Sequence, residues 1–269
     1  MLRQVDRLVR ALAGDTTRFL VHVDKKTSDQ AFDDLVRASS DVPSVSFLDR
    51  HTCHYGGFGH VRATLKGIDH LVRGRAPFDY AVLLTGQDYP IKPVADIHAF
   101  FERHEGASFM AHRPLPSPYW SPRGGLDRIE YRHFRLRGRH LRLPGKRTFP
   151  PRLRPFGGGA YWCLSRACIE YVSAFVARRP DVVRFFTRVD VPDETFFQTI
   201  VMNSHLAETV VDDNLRYIDW SRGVRPANLG LGDLEELRRT PKLYARKFDI
   251  THDAAVLDAI DRELLGVSR

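Results

Sequence analysis

Apolar positions along the first hundred residues follow two alternating rhythms. Leu2, Val5, Leu8, Val9 and Leu12 share one face of a helix that Gly14 ends. The run RFLVHVD (18–24) then reads as a strand, followed by a helix at 30–38 and a short strand, VSFLD (45–49). Val61, Leu65, Ile68 and Val72 form the stripe of a helix at 57–73; FDYAVLL follows as a strand and PVADIHAFFERH (93–104) as a helix. Strands separated by helices of this length predict βαβ units, and so an α/β fold with a mostly parallel sheet covered on both faces.

From 106 to 155 the rhythm fails, and Pro, Gly and Arg take over with scattered aromatics such as Tyr119, Trp120, Tyr131 and Phe134. A structureless loop of that length is uncommon in a compact domain, so the segment is expected to be partly ordered and functional. Beyond it, GGGAYWCLS (157–165) reads as a glycine-rich entry into a strand. Helices at 166–178 and 192–203, a strand LRYIDW (215–220) and helices at 232–239 and 252–264 complete the chain. With no internal repeat and no linker-like shift of composition, residues 1–269 are read as one domain.

Charge singles out the same irregular segment. The chain carries a formal net charge of +8, and residues 121–155 hold eleven Arg and Lys against Asp127 and Glu130, a local +9 that leaves the rest near neutral. Such a patch suits nucleic acid, anionic lipid headgroups or an acidic acceptor, or is a solvated arginine-rich loop. No apolar run approaches a membrane span and no signal peptide is visible. Three cysteines, Cys53, Cys163 and Cys168, fit neither a disulfide framework nor a zinc motif by spacing, and suggest a reducing, cytoplasmic setting.

Ligands of open α/β sheets bind at the carboxyl ends of strands, where this chain presents Asp24, Asp88 and Asp219. Each alone is as well read as a turn or capping residue; three on one predicted edge point to a site. The stretch LLTGQDYPIKP holds Asp88 between Gly86 and Pro90. HYGGF (54–58) opens a helix with glycines that let backbone N–H groups approach a ligand, or is a simple tight turn. In VDVPDETFFQT (189–199), Pro192 at a helix start with Asp193 and Glu194 in its first turn is explained by helix electrostatics alone, or supplies a general base. YARKFD (244–249) offers Arg246 and Lys247 as surface cations or as a diphosphate clamp. Neither G-x-G-x-x-G nor G-x-x-x-x-G-K-[ST] occurs.

HVDKK (22–26), YGGF, FDYAVLLTGQDYPIKP, GGGAYWCLSR, PDETFFQT, LRYIDW and YARKFD, in this order, resemble the core-2/I-branching N-acetylglucosaminyltransferase family, which includes peptide O-xylosyltransferases and bacterial members. The likeness runs from about residue 18 to the C-terminus. It implies a Rossmann-like GT-A fold and inverting transfer of N-acetylglucosamine or xylose from a UDP-sugar to an acceptor hydroxyl, without a metal or other cofactor. The chain contains no D-x-D, the motif through which most GT-A enzymes hold a divalent cation on the diphosphate. By similarity, Arg246 and Lys247 replace that cation, with Arg225 in the neighbouring loop, and Glu194 is the catalytic base. Asp24, the His54-Tyr55-Gly56 turn and Ala160-Tyr161 are expected to border the nucleotide-sugar, Asp88 to be a polar contact near the sugar or acceptor, and Glu130 an acceptor contact.

Three departures bear on these expectations. The family pattern has a strand ahead of the first helix, whereas this chain starts at MLRQVD inside that helix, so this strand is expected to be missing. Tyr55 stands for the tryptophan of the W-G-G turn, and Ala160 for a polar residue. The alternative to an active transferase is therefore a catalytically weak or inactive sugar-nucleotide-binding protein. Expected partners are the UDP-sugar and a glycan or other hydroxyl-bearing acceptor, for which the basic segment suits an anionic or membrane-linked molecule at the inner face of a membrane. Nucleic acid is not expected, since it leaves the seven motifs unexplained.

Overall fold

The apolar stripe at the start forms α1 (Leu2–Leu12), which buries Leu8, Val9 and Leu12. A computed structural model describes residues 2–74, 77–136, 139–223 and 225–267. After α1 come β1 (Phe19–Val21), α2 (Asp29–Ala38), β2 (Val45–Phe47), α3 (Gly59–Arg73), β3 (Tyr80–Val82), β4 (Asp88–Pro90) and α4 (Val94–Arg103). The irregular segment contributes β5 (Ser108–Met110), β6 (Arg113–Pro114), α5 (Leu126–Glu130) and a hairpin of β7 (Arg132–Leu136) and β8 (Arg139–Leu143). Next are β9 (Phe156–Gly157), β10 (Trp162–Ser165), α6 (Arg166–Arg178), α7 (Pro180–Phe186) and α8 (Phe196–Met202). The chain closes with β11 (Val210–Val211), β12 (Arg216–Ile218), α9 (Leu234–Arg239), β13 (Tyr244–Arg246) and α10 (Ala255–Ile260).

The result is a mixed α/β fold, and its sheets differ from the mostly parallel sheet that the periodicity predicts. Four strands run in the order β11-β5-β10-β3 and three in the order β12-β13-β4, while β1 pairs with β2. The β1–β2, β11–β5 and β12–β13 pairs are parallel, but β10 is antiparallel to both β3 and β5, and β13 to β4. A parallel pair needs a crossover, usually a helix. Between β5 and β10 the chain instead carries the basic segment, whose α5 is a single short helix, and returns in the opposite direction. The expectation that 106–155 is partly ordered agrees with its five-residue strands β7 and β8 and with α5.

Two apolar cores lie on the sheets. Leu8, Tyr89, Ile97, Leu229, Phe248 and Ile260 are among the residues that join α1 and α4 to the C-terminal helices. Val61, Ile68, Trp162, Ile169, Phe196 and Ile200 belong to the second, under α3, α6 and α8. Cys53, Cys163 and Cys168 are all free and buried. Among the described residues, no helix is long and apolar enough to cross a membrane.

One polar side chain in α1 ties strand ends together. Gln4, 2% exposed, donates from Nε2 to the carbonyls of Gly86 (2.7 Å) and Phe248 (3.0 Å), while its Oε1 accepts from the Ile250 N–H at 3.0 Å. It thereby clamps the turn before β4 to the loop after β13. Buried backbone groups stripped of their partner cost about 1–3 kcal/mol each. Gln4→Ala is therefore expected to destabilise the protein by roughly 2–4 kcal/mol, read as a lowered Tm and urea midpoint; an unchanged midpoint would contradict the clamp.

Candidate active site

The first half of the site grows from the end of β4. Asp88 is fully buried, and its Oδ2 accepts from both the N–H and the hydroxyl of Thr85, each at 2.6 Å. Its Oδ1 faces Arg246, whose Nε lies 3.4 Å away and out of line for a hydrogen bond. The two residues are register partners in the β13–β4 ladder, so backbone pairing sets one opposite the other. Arg246 stacks over Tyr161 at 4.0 Å, and behind that ring lies Arg216, a 3% exposed guanidinium that donates to the Leu83 carbonyl at 2.7 Å. Asp88, expected to contact the sugar or acceptor, meets Arg246 and Thr85 and has no solvent exposure. The Arg246 side chain makes no hydrogen bond among the described residues, and Lys247 beside it makes no ion pair. Arg225 is exposed, next to a position outside the described residues.

The second half is built around Glu194. The predicted helix 192–203 is interrupted: Pro192–Glu194 form a 3₁₀ turn and α8 starts only after Thr195. Val191 ahead of the turn sits in the left-handed region at φ 49°, a conformation a β-branched residue adopts only when its surroundings hold it there. Its N–H donates to the Gly56 carbonyl at 3.0 Å, which joins the His54-Tyr55-Gly56 turn to the PDE segment. Gly56 has φ 66°, and a Cβ there would meet Arg135, which is ion-paired with Asp190. The Gly158 N–H donates to the Glu194 carbonyl at 2.9 Å, and a Cβ on Gly158 would overlap the Ala111 carbonyl. Close approach to the backbone requires glycine at 158, and the left-handed φ favours it at 56.

The Glu194 carboxylate meets Arg128 Nη1 at 2.6 Å, and Arg128 lies over the Trp120 ring at 4.3 Å. The Glu194 side chain keeps 33% exposure, so it is reachable. Burial pushes its carboxyl above the usual range against the opposing pull of Arg128. Asp193 is raised likewise by burial, and its Oδ1 has no hydrogen-bond partner. Asp193 and Asp88 both act electrostatically on the Tyr161 hydroxyl, which links the two halves.

The remaining candidates fall elsewhere. Asp24 accepts from the Lys26 N–H at 2.9 Å and bonds the Cys53 backbone, at the exit of β1. His54 is exposed and Tyr55 is 84% exposed, so of that turn only Gly56 touches the Glu194 segment. Ala160 is half-buried between Tyr161 and Gly159, whose carbonyl accepts from Gln198 at 2.7 Å. Glu130 is ion-paired with Arg123 (2.7 Å) and Lys146 (3.0 Å), partners inside the basic segment. Sequence reading missed Arg128, Trp120, Asp190 and Arg216. Arg128 is one of many arginines in its segment and its partner is 66 residues away, so no local signal marks it.

Two cavities, of about 560 and 520 Å³, lie away from Glu194 and Arg246: one is lined by Arg132, Lys146, Arg147, Arg184 and Arg188, the other by Lys25, Asp29 and Arg50 among others. Groups able to hold a metal among the described residues are His22-His51-Cys53 and His133-His140-Asp190. In the first, burial pushes the His22 imidazole down to about 4 and the Cys53 thiol up to about 11.

The chain is 28% identical to human "Xylosyltransferase 2" over 98% of its own length and 32% of that protein's. It is 24% identical to a "Xylosyltransferase" of Ciona intestinalis and 25% to "Xylosyltransferase oxt" of Drosophila pseudoobscura pseudoobscura, each across 98% of the chain. The chain spans about a third of the length of these curated relatives. A model of the Core-2/I-Branching enzyme family matches residues 1–241, and the protein belongs to that family of glycosyltransferases.

Proposed function

We propose that this protein is a GT-A-type, inverting glycosyltransferase that moves a sugar from a UDP-sugar to an acceptor hydroxyl without a metal ion. One observation carries the reading: a reachable carboxylate held above its ordinary pKa, Glu194, directly follows Asp193, whose charge acts on Tyr161, and over that ring lies the guanidinium of Arg246, which has no hydrogen-bond acceptor among the described residues. In a single displacement, Glu194 takes the acceptor's proton as its oxygen attacks C1 from the face opposite UDP. The C1–O bond to the diphosphate breaks, and its electron pair leaves with UDP. Negative charge grows on that leaving group, and Arg246 with Lys247 neutralises it in place of a divalent cation. The names of the relatives favour xylose over N-acetylglucosamine as the donor sugar. The cationic cavity beside the hairpin favours an anionic acceptor.

A second reading draws on the ion pair between Arg128 and Glu194, which competes with an acceptor for the base. A sugar-nucleotide-binding protein with little or no turnover would bind UDP and hydrolyse no UDP-sugar. A hydrolysis screen over UDP-xylose and UDP-N-acetylglucosamine separates the two readings and names the donor.

Glu194→Gln is expected to lower kcat by roughly 10²–10⁴-fold with UDP binding intact; a transferase unaffected by this change would remove Glu194 as base. Because the base works ionised, activity should rise with pH through a limb above the ordinary glutamate value of about 4.3. Arg128→Met, which removes the cation that lowers that pKa, should move the limb further up. A limb that stays put or moves down would contradict the assignment.

Arg246→Ala and Lys247→Ala are each expected to weaken UDP binding by roughly tenfold to a hundredfold, measured by calorimetry, as for the loss of hydrogen bonds to a charged group. Unchanged affinity would sink the diphosphate clamp. Transfer should persist in EDTA without added magnesium or manganese, and a strict requirement for either ion would show that side chains do not replace the metal.

A further inference from the structure

Outside the proposed catalytic groups, one cluster has a hydrogen-bond pattern that neutral side chains do not satisfy. The His22 ring follows β1, and His51 and Cys53 follow β2. His51 Nε2 lies 2.9 Å from the Gly59 carbonyl, which only accepts, so that nitrogen carries the ring proton and Nδ1 is bare. The His51 backbone N–H donates to His22 Nε2 at 3.2 Å, so that nitrogen is bare as well. Yet His22 Nε2 and His51 Nδ1 face each other at 3.1 Å. Two imidazole nitrogens without a proton thus lie against each other. Cys53 Sγ completes the group, with all three ligand atoms within 4.8 Å of one another.

The other histidine pair shows what a satisfied arrangement looks like. His133 Nε2 donates to the Asp127 carbonyl at 2.9 Å, and its bare Nδ1 accepts from His140 Nε2 at 2.8 Å. Asp190 there is already ion-paired with Arg135. That network closes by itself. The His22–His51 pair does not.

We propose that His22 Nε2, His51 Nδ1 and Cys53 Sγ bind a zinc ion, with solvent in the fourth position of a tetrahedral site. Nitrogen and sulfur donors suit a borderline-soft ion, whereas magnesium and manganese favour oxygen. Two imidazole nitrogens on one zinc, each at about 2.0–2.1 Å, stand a little over 3 Å apart, close to the observed separation. On binding, the Cys53 thiol gives its proton to solvent as the zinc–sulfur bond forms, His22 Nε2 turns its single lone pair from the His51 N–H to the metal, and the two histidines keep their outward protons. The Gly59 carbonyl then orients His51 as an outer hydrogen-bond acceptor.

The clip has a structural consequence. Among the described residues β1 pairs only with β2, three residues against three. So short a pair is weak by itself, and a metal joining both strand exits and, through Gly59, the start of α3 would fasten it. The inference is independent of the transferase reading, and its readouts are spectral and thermal.

The test uses the full chain, freed of metal by chelation and dialysis, near neutral pH. Cobalt should bind with the intense visible bands of a tetrahedral ion and a thiolate-to-cobalt charge-transfer band, both displaced by zinc. Cys53→Ser should abolish the charge-transfer band. His22→Gln should weaken zinc binding by more than the roughly 10–100-fold that loss of an outer-shell partner costs. Zinc should raise the Tm of the unmodified protein and leave that of His22→Gln unmoved. A charge-transfer band that never appears, or that survives Cys53→Ser, overturns the assignment, as does a Tm indifferent to zinc. The last result would leave a shared proton between the two imidazoles as the explanation of their contact.

Discussion

A carboxylate with no solvent exposure at a strand end is stable only if donors surround it, and the site depends on how Asp88 meets that demand. Thr85 supplies an N–H and a hydroxyl, and Arg246 supplies the countercharge across the β4–β13 ladder. Sheet register and cation position are therefore one constraint. A slip of one residue would turn Arg246 to the opposite face and leave Asp88 buried and unpaired. Gln4 protects this register from outside by bonding both the turn before β4 and the loop after β13. Helix α1 thus supports the cation although it contributes no residue that would touch a ligand.

The surroundings of Glu194 are assembled differently, by backbone contacts between loops. Gly56 receives the Val191 N–H, Gly158 donates to Glu194, and Val191 itself is held in the left-handed region. Glycines occur where a Cβ would collide with Arg135 or with Ala111. Such contacts require no helix or strand, which is why the PDE segment is a 3₁₀ turn while its neighbour α8 is regular. Arg128 joins the basic segment to this turn. The segment that makes the protein cationic therefore also sets the electrostatics of Glu194, lowering a pKa that burial alone would raise further.

The strands β1 and β2 form a third unit with a different kind of support. Three-residue parallel strands bury little, and the polar contacts at their exits bind His22, His51, Cys53 and Asp24 into one patch. Soft nitrogen and sulfur donors gather there. At Asp88 and Arg246 a carboxylate faces a cation, an arrangement in which a hard divalent ion would meet an existing positive charge. The two regions would respond to metals in opposite ways for reasons of donor chemistry alone.

The helices α1, α2, α3, α4 and α6 and the strands β1, β2, β3, β10 and β12 were legible in the sequence within a few residues, because an apolar face imposes its period on local sequence, whereas the short strands β4, β5, β11 and β13 were not. The motifs HYGG, GGGAYW, PDE and YARK were legible too, since glycine, proline and paired charges have few local uses, and they sufficed to suggest the family. Strand direction was not, because the periodicity of a strand is the same whichever way its neighbour runs. Nor were β7 and β8, the second of which is exposed throughout and so carries no apolar signal. Partners separated by tens to hundreds of residues, such as Arg128 with Glu194 or Gln4 with Ile250, leave no trace in local pattern. By itself the sequence determined which chemical groups the protein would have available. Only the tertiary structure decided that Asp88 serves Arg246 and that Arg128 restrains Glu194, because ion pairing and burial are set by distances that the order of residues does not contain.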